Sequence, residues 1–206
     1  MSFDPDAYRA GARETWERAA PGWRERRAAL QAVAMPVSRW MADAVLCRWG
    51  YMLLADPSAA LRETRRVLRP GGRVALAAWD AAEHNPWAAV GTQEMQRLLD
   101  APPPEPDQPG MFAFAPPGRI EALLQEAGFT DVEVEALDLA FAYEDEDAWW
   151  EERVAMAVPF ADALANLDAE RRDRLRTAID GRLAEYRDES GGLSLPARSL
   201  VAAANA

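Results

Sequence analysis

The chain has 206 residues, half of them hydrophobic, which is enough for one sizeable core. Its formal net charge of -11 argues against a nucleic-acid backbone or an anionic membrane as the main partner, because both require a basic surface. No apolar run reaches the roughly 18 residues that cross a bilayer, and the N-terminus lacks a signal-peptide layout, so a cytoplasmic protein is predicted. The single cysteine and single histidine predict neither a disulfide framework nor a metal site.

The N-terminal segment, residues 1–41, is predicted to be helical. Trp16 and Trp23 lie seven positions apart among Arg and Glu residues, which is typical of one face of a helix. Pro21 and Pro36 are expected to divide the segment into two or three helices, because proline removes a backbone donor. The aromatic face has two interpretations, an ordinary packing surface or a lid over a substrate.

A strand, a helix and a second strand are predicted next. Residues 44–47 form a short apolar run that is typical of a buried parallel strand. Asp56 and Pro57 supply an N-cap and a first-turn proline for a helix, which a Pro-Gly-Gly turn ends. Residues 74–79 are continuously apolar and predict the second strand. Together these elements predict a right-handed βαβ unit.

The α/β pattern continues to the end of the chain. The predicted elements are a helix that opens at Asn85 and Pro86, a helix over 120–127, a half-exposed strand over 132–136, a mostly helical insertion over 145–190 and a last strand over 193–201. Pro196 is expected to interrupt the last strand, which favours an antiparallel strand or one near an end of the sheet.

The string DAVLCRWGYMLLADPSAALRETRRVLRPGGRVALAAW, which begins at Asp43, resembles the fourth strand, following helix and fifth strand of class I S-adenosylmethionine (SAM)-dependent methyltransferases of the ubiquinone/menaquinone-biosynthesis type. The segment AGFTDVEVEAL and the closing strand are similar to the family's sixth and seventh strands. The resemblance covers residues 42–206. It implies an α/β fold, an incomplete Rossmann-like methyltransferase sheet made of the second-half strands, with N-terminal helices and a helical insertion.

The resemblance also implies where SAM would bind. The loop after the fourth strand would lie beside the methionine end of the cofactor, which makes Asp43, Cys47, Arg48 and Trp49 the candidate cofactor-binding residues. Arg48 could hold a carboxylate or form an ordinary surface ion pair. Trp49 could contact a sulfonium by cation–π attraction or simply pack, and Cys47 could be a small buried side chain.

The acceptor substrate would approach the loop after the fifth strand. Asn85 and Trp87 are the candidate substrate-binding residues there, joined by Trp16 and Trp23 from the N-terminal helices. His84 is the candidate general base, because histidine is the side chain whose unperturbed charge changes near neutrality; the alternative is a bystander in a polar loop.

The family's Gly-rich cofactor loop and the acidic residue of its second strand have no counterpart in the sequence. The fourth strand is therefore expected to expose an edge, which favours a homo-oligomer through that edge or through the N-terminal helices. One hypothesis is a methyltransferase for a small-molecule acceptor, with SAM held in a rearranged or subunit-completed site. The alternatives are a non-catalytic truncated remnant that acts as a dimerisation module, and a sequence from which an internal segment has been omitted.

Overall fold

The structure is a computed structural model that describes residues 4–27, 45–102 and 108–206. The described strands are β1 (Val45–Arg48), β2 (Arg73–Trp79), β3 (Thr130–Tyr143) and β4 (Leu193–Asn205). The described helices are α1 (Pro5–Glu25), α2 (Pro57–Val67), α3 (Pro86–Leu99), α4 (Arg119–Glu126), α5 (Glu146–Met156), α6 (Val158–Ala165) and α7 (Ala169–Leu183). None of these helices is long and apolar enough to cross a membrane. The predicted α/β class is confirmed.

The four strands form one mixed sheet in the order β1-β2-β4-β3. β1 runs parallel to β2, with Val45 opposite Val74 and Arg48 opposite Ala77, and α2 makes the connection between them. β2 runs antiparallel to β4. The predicted βαβ unit and the set of second-half strands are therefore confirmed.

The last strand differs from its prediction in two respects. β4 lies between β2 and β3, so it is not an end strand, although it is antiparallel as one alternative proposed. Pro196 does not interrupt it. The part of β4 that pairs with β2 is Ser199–Asn205, so the proline precedes this ladder and its missing N–H removes no hydrogen bond to β2.

β1 was predicted to be a buried strand, and this is wrong. Its residues alternate between partly buried and exposed, and Leu46 is 53% exposed. β2, by contrast, is buried from Val74 to Trp79. The difference follows from position, because β1 is the last strand of the described sheet whereas β2 has a strand on each side.

The predicted helix ends are largely confirmed by local hydrogen bonds. The Asp56 carboxylate accepts the backbone N–H of Ala59 at 2.7 Å, and Pro57 occupies the first turn of α2. At the start of α5, in the acidic run 144–147, Asp145 caps the N–H of Ala148 at 2.8 Å. These caps satisfy donors that the first helical turn otherwise leaves unpaired.

Pro21 was expected to divide the N-terminal helix, but α1 continues through it to Glu25. A proline inside a helix removes one N–H from the hydrogen-bond ladder. The end of α1 also lies close to α5, since a Cβ atom on Gly22 would lie 2.7 Å from the carbonyl oxygen of Ala155 in α5. Pro36 and the junction at 41–43 lie outside the described residues.

The chain forms two compact units. Unit 1 contains Met1–Gln31, Asn85–Pro104 and Ala140–Ala197, and unit 2 contains Ala32–His84, Glu105–Leu139 and Arg198–Ala206. Trp149 and Ile179 are fully buried in the core of unit 1, as Leu61 and Leu76 are in unit 2. The division predicted from sequence, 1–41 and 42–206, stays a prediction.

Candidate cofactor and acceptor site

The carboxyl ends of β1 and β2 bring two loops of unit 2 together. The strands are parallel and in register, so the loop that begins at Trp49 and the loop that begins at Asp80 leave the same edge of the sheet. The backbone N–H of Trp49 donates to the carbonyl of Ala77 at 2.8 Å. The Trp49 ring stacks on Trp79, with centroids 4.2 Å apart and planes inclined by 15°. Ligands of open α/β sheets bind at such an edge.

Trp49 is held in an uncommon backbone conformation. Its φ of 56° lies in the left-handed region, which residues other than glycine rarely adopt. Tertiary contacts must stabilise such a backbone conformation. Its Nε1–H donates to the hydroxyl of Ser199 at 3.1 Å, and Ser199 is fully buried. The Arg48 guanidinium carbon lies over the Trp49 ring, 5.1 Å from its centroid. The loop after β1 is therefore fixed by contacts to β2 and β4.

Cys47 stabilises the same loop, which follows β1, by hydrogen bonds and close packing. Its thiol accepts backbone N–H groups of Tyr51 and Gly50, and burial raises the pKa of the thiol. Gly50 approaches so closely that a Cβ atom on it would lie 2.7 Å from the Cys47 sulfur. The thiol therefore stays protonated near neutral pH and acts as a hydrogen-bond acceptor in the turn.

His84 and Asp80 form a hydrogen-bonded pair in the loop after β2. Nδ1 of His84 lies 2.8 Å from Oδ2 of Asp80, and the other carboxylate oxygen accepts the N–H of Ala81 at 2.8 Å. The Asp80 side chain is 13% exposed and that of His84 is 42% exposed. The backbone N–H of Asp80 donates to the Arg198 carbonyl, which ties the loop to β4. A carboxylate at Nδ1 orients an imidazole for proton transfer at its other nitrogen.

The remaining predicted site residues lie in unit 1, except Asp43, which lies outside the described residues. Asn85 is fully buried, and its Oδ1 accepts the Nε1–H of Trp87 at 3.2 Å. Trp87 is buried and stacks on Phe141, with centroids 4.0 Å apart. Trp16 and Trp23 are partly exposed, and the centroids of their rings lie 5.6 Å apart. The structure thus brings these residues together in two pairs, and their substrate-binding roles stay predictions.

The sequence did not predict several residues that contact the candidate site residues in the structure. Trp79 and Ser199 hold Trp49, and the only available signals were an aromatic at the end of an apolar strand and a serine within one. In unit 1, Arg153 is buried, which lowers the pKa of its guanidinium, and its Nε has no hydrogen-bond partner. It lies over the rings of Trp87 and Trp149, at 5.4 and 5.9 Å. Among the described residues, no cluster of three or more His, Cys, Asp or Glu side chains could hold a metal.

The chain matches known methyltransferases over part of its length. Residues 8–76 match the family model described as a methyltransferase domain, a stretch that begins in α1 and ends in β2. Demethylmenaquinone methyltransferase of Mycolicibacterium vanbaalenii is 29% identical over 110 residues, which is 49% of this chain and 48% of that protein. The chain therefore spans about half the length of this curated relative.

Two solved structures show weak overall similarity. The YcgJ protein of Bacillus subtilis has a TM-score of 0.43 and 18% identity, with 79% of this chain and 63% of that chain covered. Phosphoethanolamine N-methyltransferase 2 of Haemonchus contortus has a TM-score of 0.36 and 18% identity, with 79% and 33% covered. Both scores are too low to support an argument. The domain match and the curated relative show what parts of the chain are similar to: residues 8–76 are similar to a methyltransferase domain, and about half of the chain is similar to a demethylmenaquinone methyltransferase.

Proposed function

We propose that this chain binds SAM at the carboxyl edge of β1 and β2 and transfers its methyl group to a small-molecule acceptor. The observation that supports this most is the meeting of the Trp49 and Asp80 loops at one edge of a parallel strand pair, in a chain that matches the methyltransferase domain. The curated relative is a demethylmenaquinone methyltransferase, which favours a small acceptor molecule here.

The residues of this edge suit the methionine end of the cofactor. Arg48 is exposed and carries a planar cation that can pair with a carboxylate, while the indole of Trp49 offers a π surface that attracts cations such as a sulfonium. The described residues supply no Gly-rich loop for the adenosine end. When bound, SAM would supply the electrophilic methyl group. In this proposal Arg48 and Trp49 bind and orient its methionine part.

Methyl transfer depends mainly on the alignment of donor and acceptor, which a fixed loop favours. The contacts of Trp49 to Trp79 and Ser199 leave its loop little conformational freedom. His84 would serve as the general base for an acceptor that must lose a proton. Its position in the loop next to that of Trp49 supports this role.

The test is a calorimetric titration of the full chain with S-adenosylhomocysteine, the demethylated product. Micromolar binding, equivalent to about -8 kcal/mol, is expected. Arg48→Gln should weaken binding about ten- to one-hundredfold, because a charged hydrogen bond to the carboxylate contributes roughly 1.5–3 kcal/mol. The control is Arg62→Gln, which changes an exposed arginine of α2 and should leave the affinity unaltered. The proposal would be contradicted if a folded wild-type sample gave no heat of binding. It would also be contradicted if Arg48→Gln and Arg62→Gln bound S-adenosylhomocysteine with equal affinity.

A second candidate function is a non-catalytic dimerisation module, favoured by one observation. β1 is the last strand of the described sheet and exposes 53% of Leu46, which are the properties of an edge that pairs with another strand. The occupant in this proposal is the β1 strand of a second copy. Leu46→Lys should convert the dimer to a monomer in light scattering, whereas Val67→Lys, at a similarly exposed position of α2, should not. A monomeric wild-type protein at high micromolar concentration would exclude this function.

A further inference from the structure

Ser199 of β4 forms a hydrogen-bond relay between the candidate cofactor loop and β2. Its hydroxyl oxygen accepts the Nε1–H of Trp49 at 3.1 Å, and its own O–H donates to the backbone carbonyl of Ala78 at 2.9 Å. An indole nitrogen can only donate and a carbonyl can only accept, so chemistry fixes both directions. A hydroxyl group serves as donor and acceptor at once, and an alanine at this position would leave both partners of Ser199 unpaired.

The relay lies in a closed part of unit 2. Ser199 is fully buried and Ala78 is 1% exposed, so water cannot replace the hydrogen bond between them. A buried polar group without a partner destabilises the fold. Ser199 lies opposite Trp79 in the antiparallel ladder, and the ring of Trp79 stacks on that of Trp49. β4 therefore holds the N–H edge of the Trp49 indole, while the end of β2 covers one of its faces.

The relay determines which part of Trp49 is available to a ligand. An indole has a single hydrogen-bond donor, and that of Trp49 is bound to Ser199. Trp49 can therefore offer a ligand only its ring, whose π surface attracts cations and packs against apolar groups. A ligand carboxylate at this edge of the sheet needs a different donor, such as the neighbouring Arg48.

We propose that Ser199 is a positioning residue of the cofactor site, which holds the Nε1–H edge of Trp49 against β4 so that the indole ring, and not its N–H, contacts the cofactor. This inference rests on the proposed function. It adds the last strand of the sheet to the site, through a residue 150 positions beyond Trp49. Ser199 touches no ligand in this arrangement and acts only through the orientation of the indole.

The first test reads the hydrogen bond directly and needs no ligand. The chain has eight tryptophans, so a proton–nitrogen NMR spectrum of the 15N-labelled full chain contains eight indole signals, and the one lost in Trp49→Phe belongs to Trp49. In the wild type this N–H should exchange with D2O at least about tenfold more slowly than that of the exposed Trp16. Ser199→Ala should remove the protection, and Ser199→Thr, which keeps a hydroxyl, should retain it. Exchange as fast as that of Trp16 in the wild type, or unchanged protection in Ser199→Ala, would overturn the proposal.

The second test measures the affinity for S-adenosylhomocysteine by calorimetry in a double-mutant cycle. Ser199→Ala should weaken binding about two- to tenfold, the effect of one neutral hydrogen bond. In the Trp49→Phe background the same substitution should change the affinity no further, because the indole N–H through which Ser199 acts is absent. Ser199→Thr should bind like the wild type. A purely structural serine would instead weaken binding by the same factor in both backgrounds.

Thr64→Ala is the matched control, because Thr64 of α2 forms a similar relay that does not include Trp49. Its hydroxyl oxygen lies 2.6 Å from that of Tyr51, and its O–H donates to the Ala60 carbonyl at 2.9 Å. The factor by which Thr64→Ala changes the affinity should be the same with and without Trp49→Phe. An effect of Ser199→Ala that is equal in both backgrounds, or absent from both, would overturn the positioning role. A folded wild type that does not bind the product refutes the proposed function, and the exchange of the indole N–H then still decides whether Ser199 orients Trp49.

Discussion

Replacement of Gly50 by alanine tests the packing of the candidate cofactor loop. The added Cβ atom would lie 2.7 Å from the sulfur of Cys47, whereas unstrained carbon contacts lie at about 3.5–4.0 Å, so the loop must open by about 1 Å. The backbone of Gly50, with φ -110° and ψ -51°, is one that alanine adopts without strain. The cost therefore comes from the contact alone.

The magnitude follows from two opposing effects. Overpacking of this kind costs about 1–3 kcal/mol, and the reduced freedom of the unfolded chain returns about 0.4–1 kcal/mol. Gly50→Ala should therefore lower the free energy of unfolding by about 1–2 kcal/mol. The Cys47→Ala/Gly50→Ala double variant should regain most of this loss, because it lacks the sulfur that the new methyl group contacts, and the coupling should be about 1–2 kcal/mol.

Urea unfolding followed by tryptophan fluorescence measures these differences, and the stacked pair of Trp49 and Trp79 lies beside the loop. The single variants, the double variant and the wild type complete a double-mutant cycle. Strictly additive effects of the two substitutions, or a Gly50→Ala protein as stable as the wild type, would show that the thiol and Gly50 are not in contact as described.

The other predictions concern helix packing, pH and the buried arginine. In thermal unfolding, the Gly22→Ala protein should be about 1–3 kcal/mol less stable than the Gly11→Ala protein. A Cβ atom on Gly22 would contact the Ala155 carbonyl, whereas one on Gly11 would have nothing within 4 Å. Equal stabilities of the two variants would refute the contact between α1 and α5. Since burial raises the pKa of Cys47, the folded chain keeps a proton that the unfolded chain loses near pH ~8.5, and stability should fall as pH rises above that value. Urea midpoints at pH 7 and 9.5 should show a smaller fall for Cys47→Ala, and identical falls would argue against the burial of the thiol. Arg153→Met should change the free energy of unfolding by no more than about 1 kcal/mol. The variant loses the contact of the guanidinium with Trp87, which destabilises it, and it loses a buried N–H without a partner, which stabilises it by a similar amount. A loss of stability above about 3 kcal/mol would contradict this balance.

Local chemistry made much of the fold predictable. Asp56, Pro57 and Asn85 marked helix starts, and the alternation after Thr130 marked a strand. The strand runs on to Tyr143, well beyond the predicted 132–136, because hydrogen bonds to a neighbouring strand extend it and the sequence pattern does not record them. The exposure of Leu46 was not predicted for a similar reason. An apolar run favours a buried strand, but it does not indicate which strands lie beside it.

The candidate site was predictable to the level of the loops. Two parallel strands place their following loops at one edge, and this alone brought Trp49 and His84 to the same part of unit 2. The contacts of Trp49 with Ser199 and of Asp80 with Arg198 depend on the place of β4 next to β2. Residues that lie more than one hundred positions apart carry no local signal of such a contact.

The central claim, a SAM site at the carboxyl edge of β1 and β2, is tested most directly by photolabelling. Ultraviolet irradiation of the full chain with methyl-tritiated SAM, followed by trypsin digestion, shows which peptide the cofactor contacts. The account predicts label in the peptide 49–62, which begins with Trp49, together with loss of that label in Trp49→Ala and in excess S-adenosylhomocysteine. Label confined to peptides of unit 1, or label that the excess product does not displace, would contradict it.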